Sequence, residues 1–256
     1  MRINKKIIPK LIYTSLWLMN YGKIAYAAPE DIPIPSFPFI KPAETPGDTA
    51  LVLQIILLLT ILSLAPSILI LLTSFTRTII VLSFVRNGMG VQQVPPTQVL
   101  IGLAIFMTIF IMAPVWSEIN DQAFQPYINQ EIDTSEALQK AQVPLRGFMF
   151  RQTREKDLAL FVYHAKLKEP INYLDDIPTY VLIPAFIISE LKTAFQMGFV
   201  IFIPFLVIDM IVSSTLMSMG MLMLPPIMIS LPFKILLFVM VDGWNLVINS
   251  ILIGFR

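Results

Sequence analysis

The stretch TQVLIGLAIFMTIFIMAPVWS, residues 97–117, has no charged side chain and lies within an uncharged interval that runs from Arg86 to Glu118. A helix of about 20 apolar residues is long enough to cross the hydrocarbon core of a bilayer. A second uncharged interval separates Asp48 from Arg77, and we place its helix at residues 49–73. Residues 49–117 are therefore predicted to form a first hydrophobic helical hairpin.

The composition agrees with a membrane protein. Hydrophobic residues make up 56% of the 256 residues and charged residues 14%, against about 45–50% and about 25% in an average soluble domain. The net charge of +1 argues against a nucleic-acid partner. The chain has no cysteine and a single histidine, His164, which excludes disulfides, thiol catalysis and a multi-histidine metal site within one chain. We find no enzyme motif and expect no cofactor.

The first residues have the pattern of a targeting segment. Residues 1–10 carry four basic side chains, residues 11–22 are uncharged, and an Ala-x-Ala pattern ends at Ala27. Because the apolar run is well below the length of a membrane span, a signal peptide over residues 1–27 is favoured over a short membrane anchor. Residues 28–48 contain six prolines and are predicted to be an extended linker.

Residues 118–177 are polar, unlike the apolar segments on either side, and contain ten acidic and seven basic side chains. Asp133 has the pattern of a helix cap, and we expect that helix to end at Pro144. A second amphipathic helix is predicted over residues 151–161. These features indicate a small helical insert, whose His164 is expected to be a surface residue.

The positive-inside rule orients the chain. Arg77 and Arg86 lie in the predicted connection of the first hairpin with no acidic residue between them, which places that connection in the cytoplasm. The insert and both termini are then extracytoplasmic, in agreement with an exported N-terminus.

A second hydrophobic hairpin is predicted over residues 178–256, with helices at about 180–214 and 227–254. These helices hold five charged residues, which each cost about 2.5–3.5 kcal/mol or more at the centre of a bilayer. Either such charges pair inside an assembly, or these helices do not lie in lipid at all. Paired charges would be structural contacts that dock helices or, less favoured, members of a proton relay. Lys234 is a candidate partner for Glu190 or Asp209. The five are Glu190, Lys192, Asp209, Lys234 and Asp242.

The turn of this hairpin is rich in methionine. Met217, Met219, Met221 and Met223 alternate along the chain before Pro225, so an extended loop would present all four on one side. Methionine is unbranched and deformable, which suits contact with varied polypeptides. The alternative is a methionine-rich helix that packs in lipid.

Two long strings carry a resemblance to a known family: PAFIISELKTAFQMGF at residues 184–199 and PFLVIDMIVSS at 204–214. With them the chain resembles the FliP family, the flagellar branch of the type III secretion export gates. Shorter segments agree from about residue 50 to the C-terminus. They include LTSFTR at 72–77, PPTQVL at 95–100, RQTR at 151–154, LPFK at 231–234 and VDGW at 241–244.

The resemblance implies an all-α, membrane-associated subunit without enzymatic activity. Members of this family form a ring of five copies with FliQ and FliR, close to FlhA and FlhB, in the flagellar basal body of the bacterial inner membrane. Through that ring unfolded flagellar subunits leave the cytoplasm. For this chain it implies a pore gasket of Met221, Leu222 and Met223, flanked by Met217 and Met219, and an ion pair between subunits formed by Glu190 and Lys234. Leu222 stands where the family often has a third methionine.

Two functions of other classes stay open from the sequence. The charges of the second hairpin would suit a transporter of ions or small solutes, and flux through this chain alone in liposomes would reveal one. The chain could instead be a passive assembly scaffold whose loop lines no pore, and cross-links from Met223 to a trapped export substrate would contradict that.

N-terminal sequencing of the mature protein tests the signal peptide. Cleavage after Ala27 is expected to expose Ala28 as the first residue, because the Ala-x-Ala pattern suits signal peptidase. A mature protein that begins at Met1 would show a retained anchor instead.

Overall fold

The computed structural model of the chain describes residues 46–91, 93–167, 174–221 and 223–255. All secondary-structure elements in these ranges are helical, which confirms the predicted all-α class. The predicted signal peptide, its cleavage site at Ala27 and nearly all of the proline-rich linker lie outside the described residues. The helices are α1 Pro46–Leu71, α2 Phe75–Gly88, α3 Thr97–Ile119, α4 Gln125–Ile128, α5 Thr134–Gln152, α6 Glu155–Ala165, α7 Thr179–Ser218, α8 Pro226–Met240 and α9 Gly243–Ile253, with a π-helical turn at Asn120–Phe124 and a 3₁₀ turn at Leu174–Asp176.

Among the described residues, two helices are long and apolar enough to cross a membrane, or three if α8 and α9 together form one broken span. One is the 32-residue run Thr97–Ile128, which joins α3 to α4, and the other is α7 with 40 residues. At 1.5 Å per residue α7 is about 60 Å long, twice the roughly 30 Å of a bilayer core. A single membrane crossing would therefore leave much of α7 outside the hydrocarbon.

The helix predicted at residues 227–254 is in fact two helices, α8 and α9, bent by 63° at their junction. Asp242 at this break adopts the left-handed conformation with φ of 51°, which aspartate tolerates better than most residues. The backbone of Gly243 lies against the ring of Phe238, where a Cβ would come within 2.3 Å of Cδ2. The bend therefore depends on local backbone conformation, which the continuous apolar pattern conceals.

Helix α2 occupies the segment that we expected to be the short cytoplasmic connection of the first hairpin. Its buried positions fall on one helical face and pack against α3 and α7. The sequence predicts a connection here because Arg77 and Arg86 interrupt the run of apolar residues. The buried residues are Arg77, Thr78, Val81, Leu82, Val85 and Gly88.

The main hydrophobic core lies where α2, α3, α7, α8 and α9 meet. Two glycines let α2 and α7 approach closely. A Cβ on Gly198 would lie 2.4 Å from Cδ2 of Phe84, and one on Gly88 would lie 2.7 Å from Cδ2 of Phe205. Because such distances are far below van der Waals contact, each aromatic ring occupies the space that a side chain would need.

The polar segment forms helices that pack on the first half of α7. Asp133 caps α5 as predicted, since its Oδ1 accepts the Glu136 amide at 2.7 Å. The prediction that α5 ends at Pro144 is wrong: Pro144 is buried within α5, and burial offsets the hydrogen bond that proline removes. The next helix begins at Glu155, later than expected, and His164 is exposed. The extracytoplasmic position of this segment stays a prediction.

Replacing Gly198 with alanine tests the close contact of α2 and α7. Gly198→Ala is expected to destabilise the protein by about 1–3 kcal/mol, because the new methyl group overlaps the Phe84 ring. The measurement is the thermal unfolding midpoint in detergent. The matched control is Gly102→Ala in α3, where nothing lies within 4 Å of the added Cβ, so a gain of about 0.5–1 kcal/mol is expected. Equal midpoints for the two variants would contradict the packing.

Candidate functional site: a methionine-rich loop and two ion pairs

The methionine-rich loop begins where α7 is stopped by a glycine cap. Gly220 has φ of 74°, and its amide donates to the Met217 carbonyl at 3.0 Å while the Met221 amide donates to the Leu216 carbonyl at 3.0 Å. This pair of bonds is a Schellman motif, which requires a left-handed residue and so favours glycine. The loop ends at Pro225, and Pro226 opens α8.

The loop presents methionine side chains to its surroundings. Met223 is 97% exposed, and Met217, Met219 and Met221 are also exposed. Of the two alternatives, an extended loop that carries all four methionines on one side does not hold, because Met217 lies in the last turn of α7 and Met219 caps it. Leu222 lies outside the described residues. The result is a short, deformable apolar tip between two helix ends.

An ion pair joins the two helices that carry this loop. Lys234 Nζ on α8 lies 2.5 Å from Asp209 Oδ2 on α7, and the Ser230 hydroxyl donates to Asp209 Oδ1 at 2.6 Å. Lys234 and Ser230 are buried, while the Asp209 side chain is 33% exposed. Since Asp209 lies nine residues before Ser218, the pair sets the register of α7 and α8 about 14 Å from the loop.

A second ion pair is fully buried at the other end of the core. Arg77 on α2 is 2% exposed and Glu190 on α7 is 0% exposed. Arg77 Nε donates to Glu190 Oε2 at 3.0 Å, and Arg77 Nη2 donates to Glu190 Oε1. This two-point contact uses the planar geometry of both groups.

The remaining donors of Arg77 reach two further elements. Nη2 also donates to Gln152 Oε1 at 3.0 Å, and Nη1 donates to the Gly254 carbonyl at 2.7 Å. The ring of Phe255 lies 3.8 Å from the guanidinium carbon, close enough for a cation–π contact. One guanidinium thus joins α2, α7, the end of α5 and the segment after α9.

The junction between α5 and α6 docks on the same face of α7. The Ser189 hydroxyl accepts the Arg154 amide at 3.0 Å and donates to the Gln152 carbonyl at 3.1 Å. Arg154 Nη2 donates to Thr193 Oγ1 at 3.2 Å and to the Gln196 side chain. The Ser189 hydroxyl, which is buried next to Glu190, is therefore satisfied by specific partners.

The structure places the predicted charged residues differently from the sequence. Glu190 and Lys234 were expected to pair across a subunit boundary, but each is buried with another partner in its own chain, Arg77 and Asp209 respectively. Of the two partners considered for Lys234, Asp209 is the one that the structure shows. We predicted Lys192, Asp209 and Asp242 as buried charges, but Lys192 and Asp242 are exposed in this chain and the Asp209 side chain is 33% exposed.

Arg77 is the residue that sequence reasoning missed. It was assigned to a cytoplasmic connection because it is a positive charge between two apolar intervals. The signal was present, since Arg77 stands four and eight residues before Val81 and Val85 on the buried face of α2. Its burial also leaves Arg86 alone to support the predicted orientation. Among the described residues, no three acidic or histidine side chains are grouped to hold a metal ion.

Comparison with known proteins places this arrangement in a family. The model of the FliP family matches residues 58–251, which include both ion pairs and the loop. The flagellar biosynthetic protein FliP of Bacillus subtilis (strain 168) is 59% identical over 213 residues, which cover 83% of this chain and 96% of that protein. The protein of the same name from Treponema pallidum (strain Nichols) is 50% identical over 226 residues, 88% of this chain and 83% of its own. The protein of this name from Aquifex aeolicus (strain VF5) is 47% identical over 205 residues, which cover 80% of this chain and 86% of that protein.

A double-mutant cycle tests the buried pair. Arg77→Met and Glu190→Gln are each expected to destabilise the protein by about 3–5 kcal/mol, because each leaves a buried group without its partner. The double variant should lose markedly less than the sum, since the second change removes a group that is already unpaired. Unfolding midpoints in detergent supply the four values.

The control for this cycle is Arg86→Met on the same helix. Arg86 donates to Thr97 Oγ1 at 2.9 Å near the surface, so its replacement should cost about 1 kcal/mol. Strictly additive losses for Arg77 and Glu190, or a loss at Arg86 as large as that at Arg77, would contradict the role of the buried pair.

Proposed function

The chain belongs to the FliP family and is a component of the flagellar export apparatus, and from this premise we propose that it is a pore-forming subunit of the export gate. In this role several copies surround one path. Unfolded flagellar subunits cross the inner membrane along that path during flagellum assembly. The role is structural and needs no catalytic group.

The observation that carries the proposal is the exposed loop tip. Met223 is 97% exposed on a loop that joins the 40-residue α7 to the apolar helix α8. Together with the exposed Met217, Met219 and Met221 it forms an apolar patch of the kind that marks a protein contact. Flexible thioethers can close against one another or around a passing chain of any sequence. Met221, Leu222 and Met223 form the proposed gasket, with Met217 and Met219 beside it.

The two ion pairs support the gasket because they fix the helices α7 and α8 that carry its loop. The Asp209–Lys234 pair holds α7 and α8 together below the tip, and the Arg77–Glu190 pair holds α7 against α2. Within the chain these charges already have partners, as structural docking contacts require. This pairing favours docking over a proton relay, which presents a row of titratable groups along a path.

The proposed binding partners are inferred from the family and from the exposed apolar surface of α7 and α8. Large apolar side chains are exposed along α7 and α8, for example Val200, Met210 and Met240, and they need lipid or protein against them. We assign this surface to further copies of the chain, to FliQ and FliR and to the inner membrane, with FlhA and FlhB nearby. The insert and both termini are placed on the extracytoplasmic side.

Replacing Met221, Leu222 and Met223 with glycine in the native host tests the gasket. The loop variant is expected to assemble and to leak ions, because glycine removes the apolar side chains that close the path. Ion leakage, secretion of hook and filament subunits and the size of the complex on a native gel are measured together.

The matched control replaces Met210 and Met240 with leucine, which keeps the surface assigned to neighbouring subunits and lipid apolar. Both are exposed methionines on the helices that flank the loop, but neither lies in the tip, so the control should not leak. An assembled loop variant with no leakage and normal secretion would contradict the gasket and favour a passive scaffold. Selective solute flux through the purified chain alone would favour a transporter.

A further inference from the structure

The polar segment contains an apolar groove that the proposed gasket does not use. The groove lies between the π-helical turn with α4 on one side and the first half of α5 on the other, and it encloses about 240 Å³. A cavity of about 150 Å³ holds a benzene ring, so the groove has room for one aromatic side chain and part of another. Its lining includes Ile119, Phe124, Tyr127, Leu138 and Ala141.

The segments that form this groove carry mainly negative charge. These segments have five exposed acidic residues and one basic residue, Lys140. Lys140 already pairs with Glu136 at 2.9 Å. An apolar groove in an acidic setting is complementary to an apolar surface with basic side chains beside it. The acidic residues are Glu118, Asp121, Glu131, Asp133 and Glu136.

A surface of that kind is present elsewhere on the same chain. The outer face of α6 exposes Leu160 and Tyr163, the latter to 79%, and Lys156 lies four residues before Leu160 on the same side of the helix. Lys166 follows the last turn, and Glu155 is the only exposed acidic residue of α6. We call Lys156, Leu160, Tyr163 and Lys166 the α6 face.

The groove and the α6 face are separate surfaces. The groove is built from residues 119–141, whereas α6 packs through its inner side on α7. A contact between two different surfaces of identical chains is heterologous, and its repetition closes a ring if the rotation allows. A contact of one surface with itself would produce only pairs.

We propose that the groove of one copy receives the α6 face of the next copy, with Tyr163 seated beside Leu138. The inference rests on the proposed assembly of several copies around one pore and names the contact that orders them outside the pore. Apolar burial supplies the attraction, while the acidic groove and the basic α6 face select one neighbour and one direction.

Cysteine cross-linking tests this contact directly, because the chain has no cysteine of its own. The variant with both Leu138→Cys and Tyr163→Cys, expressed in the native host and oxidised in isolated membranes, should give a ladder of disulfide-linked multimers of the chain. Each single variant should remain uncross-linked. The contact brings residue 138 of one copy next to residue 163 of another copy, and it does not bring two copies of the same residue together. Adding Lys156→Glu should lower the yield several-fold.

The matched control pairs Leu138→Cys with Tyr180→Cys. Tyr180 is 67% exposed at the start of α7 and outside the α6 face, so this pair should give no ladder. Dimers from Leu138→Cys alone would overturn the proposal in favour of a groove that pairs with itself, and dimers from Tyr163→Cys alone in favour of an α6 face that does so. A cross-link from Leu138→Cys to a different protein would overturn it in favour of another partner.

A cysteine at the loop tip separates this inference from the proposed pore. If Met223→Cys copies cross-link to one another while the Leu138–Tyr163 pair does not, the contact is wrong and the pore stands. If the Leu138–Tyr163 ladder forms but Met223→Cys copies never cross-link, the contact is supported and the central gasket is wrong. The thermal unfolding midpoint of each variant in detergent under reducing conditions confirms that it folds.

Discussion

The buried guanidinium of Arg77 is the constraint on which the rest of the structure depends. A charged group away from water must find opposite charge and hydrogen-bond acceptors, or its burial costs several kcal/mol. Arg77 finds them in Glu190, Gln152 and the Gly254 carbonyl, with Phe255 against its face. Helices that are far apart in the sequence must therefore meet at one point, and apolar packing alone would permit many other registers.

Helix α7 transmits that constraint to the loop. Glu190 fixes its first half, and Asp209, about 28 Å further along the helix axis, fixes its second half to Lys234 on α8. The helix continues to Ser218 and stops at the Gly220 cap. A rigid support thus ends abruptly in a deformable tip, which is the combination that a seal around a variable chain needs.

The surface that remains uncovered explains why this chain suits an assembly. The exposed apolar residues of α7 and α8 lie on the faces of these helices that point away from the core they form with α2, α3 and α9. Lipid or protein must cover them. The polar segment adds a different kind of surface, because its groove and its α6 face combine apolar contact with opposite charge. Different parts of the molecule therefore supply the two kinds of contact: α7 and α8 supply apolar surface, and the polar segment supplies a contact with a defined direction.

The sequence by itself determined the helical class, the long apolar helices α3 and α7, the Asp133 cap and the methionine-rich turn. These follow from local composition and periodicity, which act within a few residues. The pairing predicted for the charges of the second hairpin holds for Glu190, Asp209 and Lys234. The resemblance identified the family that the comparisons then confirmed.

Only the tertiary structure decided which charges pair and which are buried. Glu190 pairs with Arg77 across 113 positions of sequence, and no local pattern distinguishes that partner from Lys234. The helical state of α2, the break at Asp242 and the exposure of Lys192 were likewise hidden. The physical reason is that charge pairing and burial depend on which helix faces meet in space, whereas composition and periodicity report only what each segment would do alone.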